Sequence, residues 1–168
     1  IGGAFELNLP NLEYNGTDQF AGLSGNLSNS HLLGSARGAW SMLLDYFDWQ
    51  GGRKLLLPDF LCSRALMPPV FKRKIPYSFY PVNRDLTIDL TTLENMIQDD
   101  VSAALFINYF GFTSHDSLGW ALRKKYPKLV LLLDNVQALY ELQRDPTDEH
   151  WAHGSYFGFR KFLPLPDG

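Results

Sequence analysis

Two charged side chains stand where charge is costly. Asp134 ends the run LVLLLD, so a carboxylate leaves an apolar strand at its carboxyl end. Such a group needs a cation or several hydrogen-bond donors beside it. A ligand would supply them, and so would a cap or loop hydrogen bond within residues 135–140. Lys161 follows the apolar stretch GSYFGF and precedes FLPLPDG, whose prolines cannot continue a helix. Most lysines are solvated surface charges. Packed among Phe157, Phe159 and Phe162, this one would be partly desolvated, which favours the nucleophilic amine.

A third feature is the small, glycine-bearing turn Gly34-Ser35-Ala36-Arg37-Gly38 at a helix start. Amides there, aided by the helix dipole, suit a phosphate dianion, and a plain N-cap at Ser35 accounts for the same residues. Tyr109, Tyr156 and Phe60 could stack on a ring or pack in a core. His150 and His153 lie three apart, but no further His or Cys completes a metal site, so no metal is expected. The chain has no GxGxxG, no GxxxxGK[ST] and no nucleophile elbow, which counts against dinucleotide, P-loop and α/β-hydrolase chemistry.

The elements that must position these groups alternate. ARGAWSMLLDYF reads as a helix with Ala39, Trp40, Leu43, Leu44 and Phe47 on one face, and KLLLP as a short buried strand. A helix over 61–73 follows, kinked or divided at Pro68-Pro69. IPYSFYPV is a strand, TIDLTTLENMIQ a helix capped by Asp89, and SAALFINYF a strand covered on both faces. HDSLGWALRKKY is an amphipathic helix, KLVLLLDN a buried strand, and GSYFGF a last strand leading into Arg160 and Lys161. Strands alternating with helices predict an α/β fold with a mostly parallel, doubly wound sheet. Ligands gather beyond the carboxyl ends of such strands, where Pro58–Cys62, Asn108-Tyr109 and Asp134 all fall.

Composition narrows the partners. The 168 residues carry a net charge of −3 and are 45% hydrophobic, as expected of one globular domain. The short cluster Lys72-Arg73-Lys74 is no nucleic-acid footprint but a solvated helix end. Cys62 is the single cysteine, which excludes an intrachain disulfide and suits a reducing compartment. No apolar run approaches the roughly 18 residues that span a bilayer. The opening IGGAFELNLP has no signal-peptide pattern, so a cytoplasmic location is expected and the sequons at Asn15 and Asn26 are read as chance. Residues 1–30, rich in Gly, Asn and Ser, read as an N-terminal arm.

In order and spacing these segments resemble the DegT/DnrJ/EryC1/StrS family of sugar aminotransferases, fold-type I enzymes that use pyridoxal 5'-phosphate (PLP). The likeness runs through LLGSARGAWSML, LLLPDFLCSRAL, FYPVNRDLTIDLTTLE, ALFINYFGF, LLLDNVQALYE and YFGFRKFLPLPDG, over about residues 31–168. It implies the α-β-α sandwich of the PLP-dependent transferase large domain, of which this chain is the N-terminal part. The rest of that domain and the small domain would lie beyond Gly168.

The resemblance also implies roles. Lys161 would be the catalytic Schiff-base lysine, Asp134 the partner of the pyridine nitrogen, and Gln137 a neighbour of the ring's phenolic oxygen. Ser35, Ala36 and Arg37 would hold the phosphate, and Phe60 or Cys62 would stack on the ring. Where the family carries a hydroxyl residue for the phosphate this chain has Tyr156 and Gly158, with Arg160 able to supply charge instead. The implied reaction moves an amino group from a small-molecule donor to a keto-sugar nucleotide in a homodimer, with no nucleic-acid or membrane partner. The alternative is a catalytically inert PLP-fold protein with a binding or assembly role.

Overall fold

The structure is a computed structural model that describes residues 33–46, 49, 53–113, 115–138, 141 and 150–162. The arm expected over residues 1–30, and Phe47, lie outside these. The described elements are helix α1 (Ala36–Asp45), strand β1 (Lys54–Pro58), α2 (Ser63–Lys72), β2 (Tyr77–Tyr80), α3 (Leu90–Met96), β3 (Val101–Ile107), α4 (Asp116–Lys125), β4 (Val130–Asn135) and β5 (Gly154–Phe157). Short 3-10 turns at Tyr109–Gly111 and Phe159–Lys161 follow β3 and β5.

The sheet runs β2-β1-β3-β4-β5, and every pairing between described strands is parallel. A parallel sheet must be covered on both faces. Alternation along the strands supplies two apolar sides. Leu55, Leu57, Leu105 and Leu132 pack with Trp40 and Leu44 of α1 and Leu66 and Val70 of α2. Leu56, Phe106, Leu131 and Leu133 pack with Leu93 of α3, Leu122 of α4 and Trp151. The result is the expected α/β/α sandwich, doubly wound, with its order reversing between β1 and β3. That reversal opens a crevice where the two neighbouring connections leave in opposite directions.

At α2, Pro68 and Pro69 do not divide the helix, which is a single run from Ser63 to Lys72. Both prolines forgo an amide hydrogen bond. Burial of Leu66, Met67, Pro69 and Val70 holds the segment down, and the Trp40 Nε1–H donates to the Leu66 carbonyl at 2.9 Å. The strand expected over SAALFINYF ends at Ile107, because Phe110 (φ 56°) and Gly111 (φ 76°) turn the chain into left-handed conformations. Ser35 and Asp89 cap their helices as expected, accepting from the Gly38 and Thr92 amides.

α4 packs unusually close to Trp151. A Cβ built on Gly119 would lie 2.1 Å from Trp151 Cδ2. Gly119→Ala is therefore expected to destabilise the fold by about 1–3 kcal/mol or more. A lower urea midpoint checks this, and an unchanged midpoint would show that Trp151 can move aside.

Candidate active site

Register sets the site's centre. β4 places Asp134 beside Ile107 of β3 on one side and Tyr156 of β5 on the other. Asp134 is 8% exposed, and its carboxylate is held from two directions. The Tyr156 hydroxyl donates to Oδ2 at 2.7 Å, and the Val136 amide donates to Oδ1 at 2.9 Å. Burial raises the Asp134 pKa above the usual carboxylate value, opposed by these two hydrogen bonds and by the field of Lys161. Tyr156 is itself pushed well above the usual phenol value by burial and by the Asp134 charge. Both shifts favour the protonated forms, so a second cation near Asp134 would relieve the site.

Around this carboxylate opens a cavity of about 710 Å³. The Ser35-Ala36-Arg37 turn, Phe60 and Cys62 after β1, Tyr109 and Phe110 after β3, Gln137, and Arg160 and Lys161 after β5 all line it. Every site residue expected from the sequence thus reaches one cavity. The Ser35 side chain is occupied as the N-cap of α1, while the Ala36 and Arg37 amides have no partner among the described residues. Gln137 Oε1 accepts from the Phe110 amide at 3.3 Å. The Tyr109 hydroxyl donates to the Phe60 carbonyl at 2.5 Å and its ring lies 5.5 Å from that of Phe60, which fixes the turn after β1.

Two expectations change. Tyr156 does not offer its hydroxyl to a phosphate, because the β4–β5 register commits that hydroxyl to Asp134. Lys161 is exposed rather than enclosed by phenylalanines: it sits on a 3-10 turn at the rim, and Phe162 is 42% exposed. The sequence reading also passed over Arg64, which lines the cavity from the first turn of α2. A cation at a helix start opposes the dipole, and that misfit was the available signal. Among the described residues no group of three or more His, Cys, Asp or Glu could hold a metal. His150 and His153 each use Nδ1 to accept a backbone amide, from Ala152 and Leu131.

Behind the site, His115 is buried with Nε2 2.8 Å from the Ile107 carbonyl, to which it donates. Burial lowers its pKa below the unfolded value. The unfolded chain then binds more protons, so this contribution is present above about pH 6.5 and is lost as pH falls from there towards the folded pKa. Urea midpoints are expected to drop between about pH 7 and pH 5, and to drop less in His115→Asn. Equal slopes in the two proteins would remove His115 as the cause.

No protein-family model and no curated protein matches the chain. Solved structures do. Helicobacter pylori PseC, an aminotransferase involved in the biosynthesis of pseudoaminic acid, superposes with a TM-score of 0.64 at 23% identity, over 75% of this chain and 34% of that one. The described residues carry the fold of an aminotransferase. The putative sugar aminotransferase Spr1654 from Streptococcus pneumoniae, in its PMP form, gives 0.52 at 15% identity over 64% of this chain and 30% of that one. S. venezuelae DesV, in complex with a ketimine intermediate, gives 0.54 at 18% over 62% and 28%. This chain thus spans about a third of the length of the proteins it resembles, as a part of that fold. No described helix is long and apolar enough to cross a membrane.

Proposed function

We propose that the chain is the N-terminal, cofactor-holding part of a PLP-dependent aminotransferase of the DegT/DnrJ/EryC1/StrS family. Its substrates would be a small-molecule amino donor and a keto-sugar nucleotide, and the working form a cytoplasmic homodimer. The observation that carries this reading is the buried Asp134 carboxylate, oriented by Tyr156 and Val136 at the floor of a cavity whose rim bears Lys161.

The residues fit the cofactor. Asp134, costly as a lone buried anion, would gain the cation it needs from a protonated pyridine nitrogen. The unpartnered Ala36 and Arg37 amides head a ten-residue helix and suit a phosphate, and the exposed ring of Phe60 suits stacking. Bound PLP would supply an electron-accepting ring beside the amine carbon. Asp134 would keep the proton on the ring nitrogen. Gln137 would donate through Nε2 to the phenolic oxygen, its Oε1 being already engaged. Lys161 Nζ would bind the cofactor covalently and, once displaced, would carry the proton taken from the donor carbon.

Binding without turnover is the second reading, and the exposure of Lys161 favours it. Protein loaded with PLP and given amino donors separates the two. The aminotransferase reading expects release of a keto product with loss of the cofactor's visible absorption. Retained absorption with every donor supports binding alone, and failure to take up PLP overturns both.

A further inference from the structure

β2 closes the sheet on one side, and its outer edge is bare among the described residues. The Leu55 amide donates to the Pro76 carbonyl at 2.8 Å and the Asp59 amide to the Tyr80 carbonyl at 2.9 Å, so alternate residues of β2 turn their backbone groups towards β1. The amides and carbonyls of Tyr77 and Phe79 therefore face outward, where no described strand meets them. Free edges of this kind recruit another strand.

The side chains beside that edge are apolar as well. Tyr77 and Phe79 stand on the same face of the sheet with their rings 5.3 Å apart, and the ring of Phe71, near the end of α2, lies 6.0 Å from that of Tyr77. All three are exposed. A row of aromatic rings beside unpaired backbone is the surface that an added strand covers. Exposed Lys72 and Lys74 flank it, and neither forms an ion pair among the described residues.

The sequence ahead of the described residues has the matching pattern. In AFELNL, residues 4–9, apolar Phe5, Leu7 and Leu9 alternate with polar Glu6 and Asn8, the period of a strand with one covered face. Pro10 follows, where pairing would stop. Residues 1–32 contain Glu6, Glu13 and Asp18 and no Lys or Arg, a charge opposite to that of the Lys72 and Lys74 flank. Extended, residues 10–32 would reach about 75 Å, several times the roughly 20 Å across a five-stranded sheet.

We propose that residues 4–9 add to the outer edge of β2 as a further strand, laying Phe5, Leu7 and Leu9 over the rings of Phe71, Tyr77 and Phe79. The arm thereby shields an edge through which copies of the chain would otherwise pair.

The test is amide hydrogen exchange, read residue by residue on the full chain, in the parent, Leu7→Asp and Asn8→Thr. The Tyr77 and Phe79 amides are expected to exchange about tenfold or more slowly in the parent than in Leu7→Asp, with Leu56 and Phe106 of the central strands unchanged. Asn8→Thr, on the polar side of the segment, is expected to keep the parent's protection. Unprotected Tyr77 and Phe79 in the parent, or protection that survives in Leu7→Asp, overturns the proposal. So does equal loss in both variants, since alternation would then be irrelevant. Protection that rises with protein concentration overturns it in favour of a second copy on the edge. If Leu7→Asp also loses protection at Leu56 and Phe106, a paramagnetic label on Gly2→Cys in a Cys62→Ser chain decides. Broadening strongest at β2 and weakest at β5 supports the arm on this edge, and any other order overturns it.

Discussion

Lys161→Ala should abolish covalent capture of PLP while leaving the fold intact. Its side chain is exposed at the rim and makes no ion pair among the described residues, so its removal should change stability by no more than about 0.5 kcal/mol. Among the described residues its amine is the one primary amine in the cavity lining, because the other cations there are arginines, which do not act as nucleophiles at neutral pH. Parent protein incubated with PLP and reduced with borohydride should carry the cofactor after denaturation. The variant should carry none, with an unchanged far-ultraviolet spectrum. Equal labelling of both proteins would mean that another lysine reacts and that the rim position of Lys161 is incidental.

Asp134→Asn should separate affinity from stability. The asparagine keeps an oxygen for the Val136 amide and can still pair with the Tyr156 hydroxyl, so the loop after β4 stays anchored. What disappears is a buried charge whose pKa is raised by desolvation. That shift has a sign: the folded carboxyl binds its proton more tightly than the unfolded one, so its contribution is full below the unfolded pKa and fades as pH rises through the folded pKa. At neutral pH, removing the charge should therefore leave the cofactor-free protein as stable or more stable. PLP affinity should fall by about ten- to a hundredfold, the worth of a hydrogen bond between charged partners. Dialysis against graded PLP and a urea titration measure the two effects. A large loss of stability with unchanged affinity would make Asp134 a loop anchor and nothing more.

The fold was legible because its signals are local. Runs such as KLLLP and LVLLLD are apolar from end to end, as strands covered on both faces must be, and the helices between them carry their own caps at Ser35 and Asp89. The membership of the site was legible for a related reason. Parallel strands all end on the same edge, so residues after β1, β3, β4 and β5 converge without any knowledge of distances.

The partnerships were not legible. Tyr156 meets Asp134 through the pairing of β4 with β5, and the intervening segment gives no clue to that register. The unbroken α2 is a tertiary effect in which a buried face outweighs two missing amides. Lys161 was expected among phenylalanines because they adjoin it in sequence, but a 3-10 turn points neighbouring residues in different directions. Arg64 was passed over because a single arginine in a helix reads as surface until its position in the first turn is known.

The most direct test of the account is the site of covalent attachment. Parent protein should be saturated with PLP, reduced with borohydride, digested, and its labelled peptide sequenced. The account expects one labelled residue, Lys161, with labelling suppressed in Asp134→Asn at limiting PLP. A label at Lys54, at Lys72 or at Lys74, or no label on folded protein, would contradict it.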